Sequence, residues 1–309
     1  MMSPNQPAVA ADSNPRVTPG ITLVIPAFNE ENGIEGVIRR LFGLPWTEPF
    51  ELIVVNDGST DGTSRVIGRL VQEFPTLKVV EHGVNRGYGA SLRTGFYAAL
   101  HDVVVITDAD GTYPEDRIAE LVELVRAGAD MAIGARTGND VNIPTIRKPA
   151  KAFLRRLASY LSGTPIPDLN SGLRAIRRDL VLRYAPILPD GFSFTTTITL
   201  ASLTNGHDVR YLSIDYAARE GRSKIRPIRD TLGFLALIVR TVLYFNPLKI
   251  FYPVAGLIGL CVACSFAFDL FWITGAPNLS DKTVLLFVAL VQVLSLGMIA
   301  DLIDKKSRL

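Results

Sequence analysis

The sequence contains few cysteines and histidines, so it offers little material for disulfides or for histidine-based catalysis. There are two cysteines and three histidines among 309 residues. Cys261 and Cys264 lie in a strongly apolar segment, where their spacing is more typical of small apolar side chains than of a redox or metal site. His82, His101 and His207 show no spacing to a catalytic partner. We therefore expect neither a disulfide framework nor a catalytic histidine.

The chain also lacks a strong charge imbalance and an apolar leader. Its formal net charge is +2 at pH 7, whereas nucleic-acid-binding proteins are usually far more basic, so we expect no nucleic-acid partner. Residues 1–20 are rich in Pro, Ser, Asn and Ala and contain no continuous apolar run. A secretory signal peptide needs such a run, and we expect residues 1–20 to form a disordered tail instead.

Long apolar runs are confined to the C-terminal end. Residues 250–268 and 283–300 contain no charged side chain, and a polar stretch at 269–282 connects them. At about 1.5 Å per helical residue the first run spans roughly 28 Å, which is close to the thickness of a hydrocarbon core. The pattern predicts two membrane-spanning helices, with buried helices of a soluble protein as the alternative.

Basic residues beside these runs predict their orientation. The residues that precede the first run are Lys224, Arg226, Arg229, Arg240 and Lys249. Those that follow the second run are Lys305, Lys306 and Arg308, and the connecting stretch contains Lys282. Cytoplasmic flanks of membrane helices are enriched in Lys and Arg. We therefore expect a two-pass membrane protein whose N-terminal domain and C-terminus are both cytoplasmic.

Between residues 21 and 135 the sequence alternates β-type runs with amphipathic helical patterns. The predicted strands are 21–25, 52–55, 77–81, 103–107 and 131–135, and the predicted helices between them are 30–42, 63–74, 91–100 and 114–127. Strands separated by helices form βαβ units with right-handed crossovers. The predicted fold class is therefore α/β with a mainly parallel central sheet.

Beyond residue 135 the pattern is less regular. The predictions are a basic amphipathic helix at 148–162, strands at 172–176 and 209–216, and either a buried helix or a strand at 192–203. We expect one domain at 21–226, a juxtamembrane amphipathic segment at 227–249, and the hairpin with a short cytoplasmic tail at 250–309.

Two acidic clusters directly follow predicted strands. Asp57 and Asp61 lie after the second strand, and Asp108 and Asp110 lie after the fourth. Ligands of open α/β sheets collect at the carboxyl ends of the strands, where crowded carboxylates repel one another unless a cation or donor groups compensate. An Asp-x-Asp pair suits a magnesium or manganese ion (Mg2+ or Mn2+) that holds a diphosphate. Ordinary turn chemistry is the alternative.

Two further motifs lie at strand ends. In the Pro-Ala-Phe-Asn-Glu run, Phe28 can cover a nucleobase and Glu30 can accept a ribose or base proton; a turn before an acidic helix start is the alternative. In the Asn-Arg-Gly-Tyr-Gly-Ala run, Leu92 stands where a dinucleotide-binding fingerprint needs glycine. A flexible glycine loop that opens a helix, with Arg86 near a diphosphate, is the simpler interpretation.

The ordered motifs resemble the family 2 glycosyltransferases with a GT-A fold. The matching motifs are Pro-Ala-Phe-Asn-Glu at 26–30, Asn-Asp-Gly-Ser-Thr-Asp-Gly-Thr at 56–63, Asn-Arg-Gly-Tyr-Gly-Ala at 85–90, Asp-Ala-Asp-Gly at 108–111, Gly-Ala-Arg at 134–136 and Asp-Leu-Asn-Ser-Gly-Leu-Arg at 168–174. Within the family the chain is most similar to polyprenyl-phosphate sugar transferases of the dolichyl-phosphate mannose synthase group. The resemblance covers residues 21–309 and implies a GT-A (Rossmann-like) domain with two C-terminal transmembrane helices.

The resemblance also implies roles for individual residues. The nucleotide-binding group comprises Pro26, Phe28, Glu30, Asp57, Arg86 and Asp108. The metal-binding pair comprises Asp108 and Asp110, and the catalytic group comprises Asp110, Asp168 and Arg219. The group implied to bind the acceptor phosphate comprises Arg147, Arg174, Arg222, Ser223 and Lys224. General attraction to anionic lipid is the alternative for the basic stretch.

The implied reaction is an inverting, metal-dependent transfer of a sugar from a UDP- or GDP-sugar to polyprenyl phosphate at the cytoplasmic membrane face, among membrane lipids. A phosphate monoester is largely dianionic at pH 7 because its second pKa is about 6, so no strong general base is needed. The sugar, the base of the donor and the oligomeric state, a homo-oligomer included, stay open.

Two departures from the family pattern bear on this expectation. Many relatives have Gln two residues after the second metal-binding Asp, whereas this chain has Thr112, which argues against a third protein ligand there. Residues 194–200 include four threonines where an acidic residue is expected. That substitution leaves the donor and acceptor preference open.

Two other functions are the alternatives. For a membrane polysaccharide or glycolipid synthase, the Gln-x-x-Arg-Trp signature of processive enzymes is missing, since no Gln occurs between Gln72 and Gln292. A non-catalytic nucleotide-binding partner of a lipid-sugar flippase is the other. The intact Asp108-Ala109-Asp110 run argues against it.

Overall fold

The structure, a computed structural model, describes residues 17–137, 148–191, 193–217, 227–272 and 279–307. The strands are β1 (Thr18–Ala27), β2 (Phe50–Asn56), β3 (Leu77–Glu81), β4 (His101–Ile106), β5 (Met131–Arg136), β6 (Arg174–Arg177) and β7 (Val209–Ile214). The helices are α1 (Ile34–Gly43), α2 (Thr63–Glu73), α3 (Tyr88–Ala98), α4 (Ile118–Arg126), α5 (Lys148–Ser162), α6 (Arg178–Tyr184), α7 (Phe194–Thr204), α8 (Pro227–Phe245), α9 (Leu248–Trp272) and α10 (Asp281–Ser307).

The strands form one sheet in the order β3-β2-β1-β4-β6-β5-β7. All neighbouring pairs are parallel except those of β6, which is antiparallel to both β4 and β5. Leu23 in β1 pairs with Leu52 in β2 on one side and with Val105 in β4 on the other. The predicted α/β fold class with a mainly parallel sheet is confirmed.

Helices cover both faces of the sheet because the central strands are apolar on both sides. Leu23 and Ile25 face a core formed with α1, α2 and α4. The intervening Val24 faces a second core formed with α3, α6 and α7, as expected from the alternation of side chains along a strand. This arrangement leaves the carboxyl ends of the parallel strands accessible at one edge.

A third, smaller core joins the domain to its membrane-proximal helix. Ile238 and Val242 of α8 pack with Ala158 of α5 and with Leu200 and Leu203 of α7. The apolar side of α8 is therefore buried against the α/β domain. From the end of α8 the chain passes directly into α9.

The helices α9 and α10 are both long and apolar enough to cross a membrane, over Leu248–Phe271 and Asp281–Lys305. Most of their side chains are exposed to the surroundings rather than buried in protein, as expected of lipid-facing helices. At the connecting end, Asp269 accepts hydrogen bonds from the backbone N–H of Ser280 at 2.9 Å and the hydroxyl of Thr283 at 2.6 Å. The hairpin is thus fastened where α10 begins.

The structure corrects one sequence expectation and decides one assignment that the sequence left open. Residues 18–20, assigned to the tail, belong to β1, because Thr18 donates to the Leu100 carbonyl at 3.2 Å and Gly20 donates to Asp102 at 2.9 Å. The remaining tail, residues 1–16, lies outside the described residues. The segment left open as helix or strand is the helix α7, which is buried from Phe194 to Leu203.

Candidate active site

The ends of three neighbouring strands bring the acidic clusters to one edge of the sheet. Asp57 follows β2 and donates its backbone N–H to the Ala27 carbonyl at the end of β1, at 2.8 Å. On the other side of β1, Thr107 follows β4 and precedes Asp108. Residues 26–30, 57–63 and 108–110 therefore surround the same sheet edge, as the sequence predicted.

Asp57 is buried and bound to the loop that follows β3. Its Oδ1 accepts the Arg86 N–H at 2.9 Å, and its Oδ2 accepts the Gly87 N–H at 2.8 Å. Burial by itself would raise the pKa of the Asp57 carboxyl, but hydrogen bonds from His82 and from these two amides hold it below the usual value. Asp57 therefore holds the loop after β3 and is itself almost fully buried.

His82 is a residue that the sequence analysis missed. Its Nδ1 lies 2.6 Å from Asp57 Oδ1, and its Nε2 lies 3.0 Å from the hydroxyl oxygen of Thr94. Sequence spacing did not show these partners, and the expectation that the chain has no catalytic histidine stays a prediction. The partner lies on the neighbouring strand, where Asn56 pairs with Glu81 in parallel register, so that residues 57 and 82 follow side by side.

Loops after β1 and β2 fix the exposed residues of the first motif. Asn29 adopts a φ of 59°, and its side-chain oxygen accepts the Thr60 N–H at 2.8 Å. Phe28 is 42% exposed at this corner, and its contact with a base stays a prediction. Glu30 is partly exposed, whereas Pro26 is buried in β1 and offers no surface to a ligand.

Asp108 and Asp110 lie in the turn after β4. The Tyr88 hydroxyl donates to Asp108 Oδ1 at 3.1 Å. Asp110 Oδ1 accepts both the N–H and the hydroxyl of Thr112, at 3.1 and 2.7 Å. Thr112 therefore orients Asp110 instead of replacing the missing glutamine as a ligand. The turn is closed by Gly111, which has a φ of 69° and thus a conformation that favours glycine.

This carboxylate pair fits a divalent cation that also binds a diphosphate. A Cβ atom at Gly172 would lie 3.1 Å from both carboxylate oxygens of Asp108, so the glycine keeps space beside them. Among the described residues no three His, Cys, Asp or Glu side chains form a complete cation site. Ligand oxygens and water would complete the shell, as hard cations allow.

Asp168 forms an ion pair with Arg136 at the end of β5. Asp168 accepts from Arg136 Nε at 2.7 Å, from Nη2 at 3.0 Å and from the backbone N–H at 3.1 Å. Burial alone would raise the pKa of Asp168, but the hydrogen bonds and charge of Arg136 lower it. A carboxylate with a lowered pKa is a weak base, so this contact favours an orienting role over proton abstraction.

Arg174 does not reach the site surface. Its guanidinium is fully buried between β6 and α7, where it donates to the Ser171 carbonyl and to the Thr199 hydroxyl at 3.1 Å. The expectation that Arg174 binds the acceptor phosphate is therefore wrong for this conformation. The threonines of α7 supply part of the explanation, because they provide acceptors for this buried cation.

The glycine loop opens α3, and the helix begins at Tyr88. The first amides of the helix are already used, since Gly89 and Ala90 donate to the Asp190 carbonyl at 2.6 and 3.2 Å. They are not available to a phosphate. Arg86, in contrast, is exposed on the loop and stays a predicted diphosphate contact.

A cavity of about 320 Å³ adjoins this edge, lined by residues 111–114 and 215–217. Ala217 donates to the Thr112 carbonyl at 3.1 Å, so residue 217 lies beside the turn that contains Asp110. The predicted phosphate-binding residues Arg147, Arg219, Arg222, Ser223 and Lys224 lie outside the described residues.

Two family models match the chain. The glycosyl transferase family 2 model matches residues 22–184, and the GtrB C-terminal hairpin model matches residues 246–305. Together they cover the α/β domain through α6 and both apolar helices.

Curated relatives match over most of their own length. Polyprenol monophosphomannose synthase of Mycolicibacterium smegmatis is 30% identical, over 68% of this chain and 82% of the relative. Dolichyl-phosphate hexose transferase of Haloferax volcanii is 28% identical, over 72% and 94%. Undecaprenyl-phosphate 4-deoxy-4-formamido-L-arabinose transferase of Pseudomonas savastanoi pv. phaseolicola is 28% identical, over 92% and 86%.

Solved structures share the fold. Glucosyl-3-phosphoglycerate synthase from Mycobacterium tuberculosis in complex with UDP superposes with a TM-score of 0.57 at 21% identity, covering 72% of this chain and 80% of that one. The same enzyme with Mn2+, UDP and glucosyl-3-phosphoglycerate gives a TM-score of 0.56 at 23% identity, with the same coverage.

Proposed function

We propose that this chain, which belongs to glycosyl transferase family 2, transfers a sugar from a UDP- or GDP-sugar to polyprenyl phosphate at the cytoplasmic face of a membrane. The observation that carries the proposal is the combination of one sheet edge, where Asp57, Asp108 and Asp110 converge, with an apolar hairpin joined to the same domain. A relative that matches 92% of this chain, and therefore both parts, is named as an undecaprenyl-phosphate sugar transferase.

In the proposed reaction an oxygen of the acceptor phosphate attacks the anomeric carbon of the donor in line. A new carbon–oxygen bond forms while the bond to the nucleoside diphosphate breaks, so the anomeric configuration inverts. The acceptor is already largely dianionic at neutral pH because its second pKa is about 6. The ion-paired Asp168, a weak base, is therefore compatible with the chemistry.

Asp108 and Asp110 would hold Mg2+ or Mn2+ at the donor diphosphate. When bound, the cation supplies positive charge that neutralises the departing diphosphate. The chain itself contributes the orientation of both carboxylates, through Tyr88 on Asp108 and Thr112 on Asp110. A structural neighbour of the same fold was solved with Mn2+ and UDP, which supports the choice of ligands.

The acceptor side is proposed from the path of the chain. Residue 217 is hydrogen-bonded beside the Asp110 turn, and α8 begins at Pro227 and leads to the membrane helices. The connecting residues 218–226 must link the sheet edge to the membrane-proximal helix. Arg219, Arg222, Ser223 and Lys224 on this connection are proposed to meet the lipid phosphate, as guanidinium and ammonium donors do.

A donor panel tests the proposal. Purified full-length protein in detergent is incubated with UDP- and GDP-sugars and either polyprenyl phosphate or the matching polyprenol without phosphate. We expect lipid-linked sugar to form from either the UDP-sugars or the GDP-sugars, and only when the acceptor is polyprenyl phosphate. Equal transfer to polyprenol would show that phosphate is not the nucleophile, and a growing saccharide chain would favour a polysaccharide synthase.

A further inference from the structure

Two adjacent residues of the glycine loop contact both acidic clusters. Gly87 donates its N–H to Asp57 Oδ2 at 2.8 Å, and the Tyr88 hydroxyl donates to Asp108 Oδ1 at 3.1 Å. Asp57 belongs to the nucleoside side of the edge, whereas Asp108 belongs to the diphosphate side. Tyr88 is thus the side chain through which this loop reaches the second cluster.

The backbone around Tyr88 is tightly held. A Cβ at Gly89 would lie 2.0 Å from the Pro189 carbonyl oxygen, and one at Gly87 would lie 2.6 Å from the Asp190 carbonyl oxygen. Glycine at both positions therefore permits a close approach to the loop before α7. Arg93, one turn further along α3, fastens that loop by donating to the Leu188 carbonyl at 2.9 Å.

Gly172 lies beside both the Asp108 carboxylate and the Tyr88 hydroxyl. A Cβ there would lie 3.1 Å from both carboxylate oxygens and 3.2 Å from the Tyr88 hydroxyl oxygen. Gly172 is itself fixed, because its N–H donates to the Tyr113 hydroxyl at 2.6 Å. The glycine therefore leaves room for the hydrogen bond between Tyr88 and Asp108.

Tyr88 is a dependable donor at neutral pH. A tyrosine hydroxyl ordinarily titrates near pH 10, so it carries its proton at neutral pH. A hydrogen bond to one oxygen of a carboxylate fixes its orientation, and outer contacts of this kind commonly change metal affinity or activity by roughly 10- to 100-fold.

We propose that Tyr88 is a positioning residue whose hydroxyl orients the Asp108 carboxylate for a divalent cation. The inference rests on the proposed function, because it presumes that Asp108 binds the cation. It adds a determinant that no metal-ligand motif contains, since Tyr88 itself is not a ligand. The alternative is that Tyr88 only packs against the core formed with Leu92 and Phe96.

The test separates orientation from packing by removing one oxygen atom. Tyr88→Phe keeps the ring and deletes the hydroxyl. Full-length protein in detergent is titrated with Mn2+ by electron paramagnetic resonance, with saturating UDP or GDP, whichever the wild type binds. We expect the Kd for Mn2+ to rise roughly 10-fold or more, while the nucleotide Kd measured in EDTA stays unchanged. The Mn2+ concentration that gives half-maximal activity should rise in parallel.

Two further variants make the result specific. Tyr97→Phe removes a hydroxyl from an exposed tyrosine of the same helix and should leave the Mn2+ Kd unchanged. Gly172→Ala retains Tyr88 but places a methyl group against both the Asp108 carboxylate and the Tyr88 hydroxyl. Because it disturbs the same hydrogen bond, it should also weaken Mn2+ binding. Thermal melts establish that each variant is folded.

Three outcomes overturn the inference, and they are distinguishable. If Tyr88→Phe binds Mn2+ with wild-type affinity, Tyr88 is not a positioning residue, and the proposed function is unaffected. If the nucleotide affinity of Tyr88→Phe, measured in EDTA, falls by the same factor as its Mn2+ affinity, the hydroxyl only maintains the packing of the loop. A wild type that binds no Mn2+ with either nucleotide contradicts the metal part of the proposed function as well.

Discussion

Asp57 and His82 form a buried hydrogen bond, with Asp57 Oδ1 and His82 Nδ1 2.6 Å apart and 4% of each side chain exposed. Each residue directly follows one of two adjacent parallel strands. Because Asp57 also accepts the amides of Arg86 and Gly87, the pair defines the loop between β3 and α3. We infer that the nucleoside side of the site depends on this loop rather than on an open Asp57 carboxylate.

Asp57→Asn tests that dependence. The amide keeps the shape of the side chain, but its NH2 group cannot accept a backbone N–H. Losing a hydrogen bond to a buried charged group costs about 1.5–3 kcal/mol, so we expect nucleoside diphosphate binding to weaken roughly 10- to 100-fold. Isothermal titration calorimetry with UDP and GDP measures the change. Asp116→Asn, at an exposed carboxylate, is the control, and unchanged affinity in Asp57→Asn would refute the loop's role.

The Asp168–Arg136 ion pair should stabilise the domain in a pH-dependent way. The Asp168 pKa is lowered in the folded protein, so the stabilisation is fully present above the unfolded-state pKa of about 3.9 and is lost as the pH falls below it. Asp168→Asn should lower the Tm at neutral pH by roughly 5–10 °C, since it leaves a largely buried Arg136 unpaired. The Tm difference should shrink below about pH 4.

A matched control lies in the Arg177–Asp179 pair. Its side chains are 49% and 57% exposed, and exposed pairs contribute about 0–1 kcal/mol. Asp179→Asn should therefore change the Tm little at any pH. A Tm difference for Asp168→Asn that stays constant down to acidic pH would show that the ion pair is not its cause.

Residues 218–226 should contain the lipid-phosphate contacts. Arg219→Ala and Lys224→Ala are expected to lower kcat/KM for polyprenyl phosphate roughly 10- to 100-fold, because each deletes a charged donor to phosphate. Arg229→Ala, in α8, should have little effect. Kinetics of purified variants in detergent decide the matter. Small and equal effects at all three positions would leave only general attraction to anionic lipid, at about 1 kcal/mol per charge.

The hairpin orientation is testable by reporter fusions. The Lys and Arg distribution predicts that a reporter at the C-terminus is cytoplasmic and that one inserted within residues 275–281 is on the opposite side. Fluorescent and alkaline phosphatase reporters at each position provide the comparison. If both reporters lie on the same side of the membrane, the two helices form an interfacial hairpin and do not span the membrane.

The fold was largely predictable because its strands are apolar runs separated by amphipathic helices. The helix α5 has the predicted bounds, and the spans α9 and α10 contain the two charge-free runs. The segment that became α7 could not be assigned, since it is apolar or threonine-rich on every side and buried throughout. Such a segment has no periodic alternation of apolar and polar residues that would distinguish a helix from a strand.

The location of the candidate site at the sheet edge could be predicted from the sequence, whereas most contacts within it could not. Strand-end aspartates indicated the correct sheet edge, but the pairing of His82 with Asp57 depends on strand order, which sequence spacing does not contain. Arg174 matched a family motif, yet its burial follows from packing against α7. Tyr88 belongs to the motif at 85–90, but its contact with Asp108 could not be predicted, because the two residues follow different strands.

The central claim is a sugar transfer that depends on the carboxylates after β4. Asp110→Asn retains an oxygen that can accept from Thr112 but removes the charge that would hold the cation. The most direct measurement is mass-spectrometric quantification of glycosyl polyprenyl phosphate formed by wild type and Asp110→Asn, each with EDTA and with added Mg2+ or Mn2+. We predict that the wild type forms product only when Mg2+ or Mn2+ is added. Under the same conditions Asp110→Asn should form less product by a factor of more than about 100. Wild-type amounts of product from Asp110→Asn in excess EDTA would contradict the account.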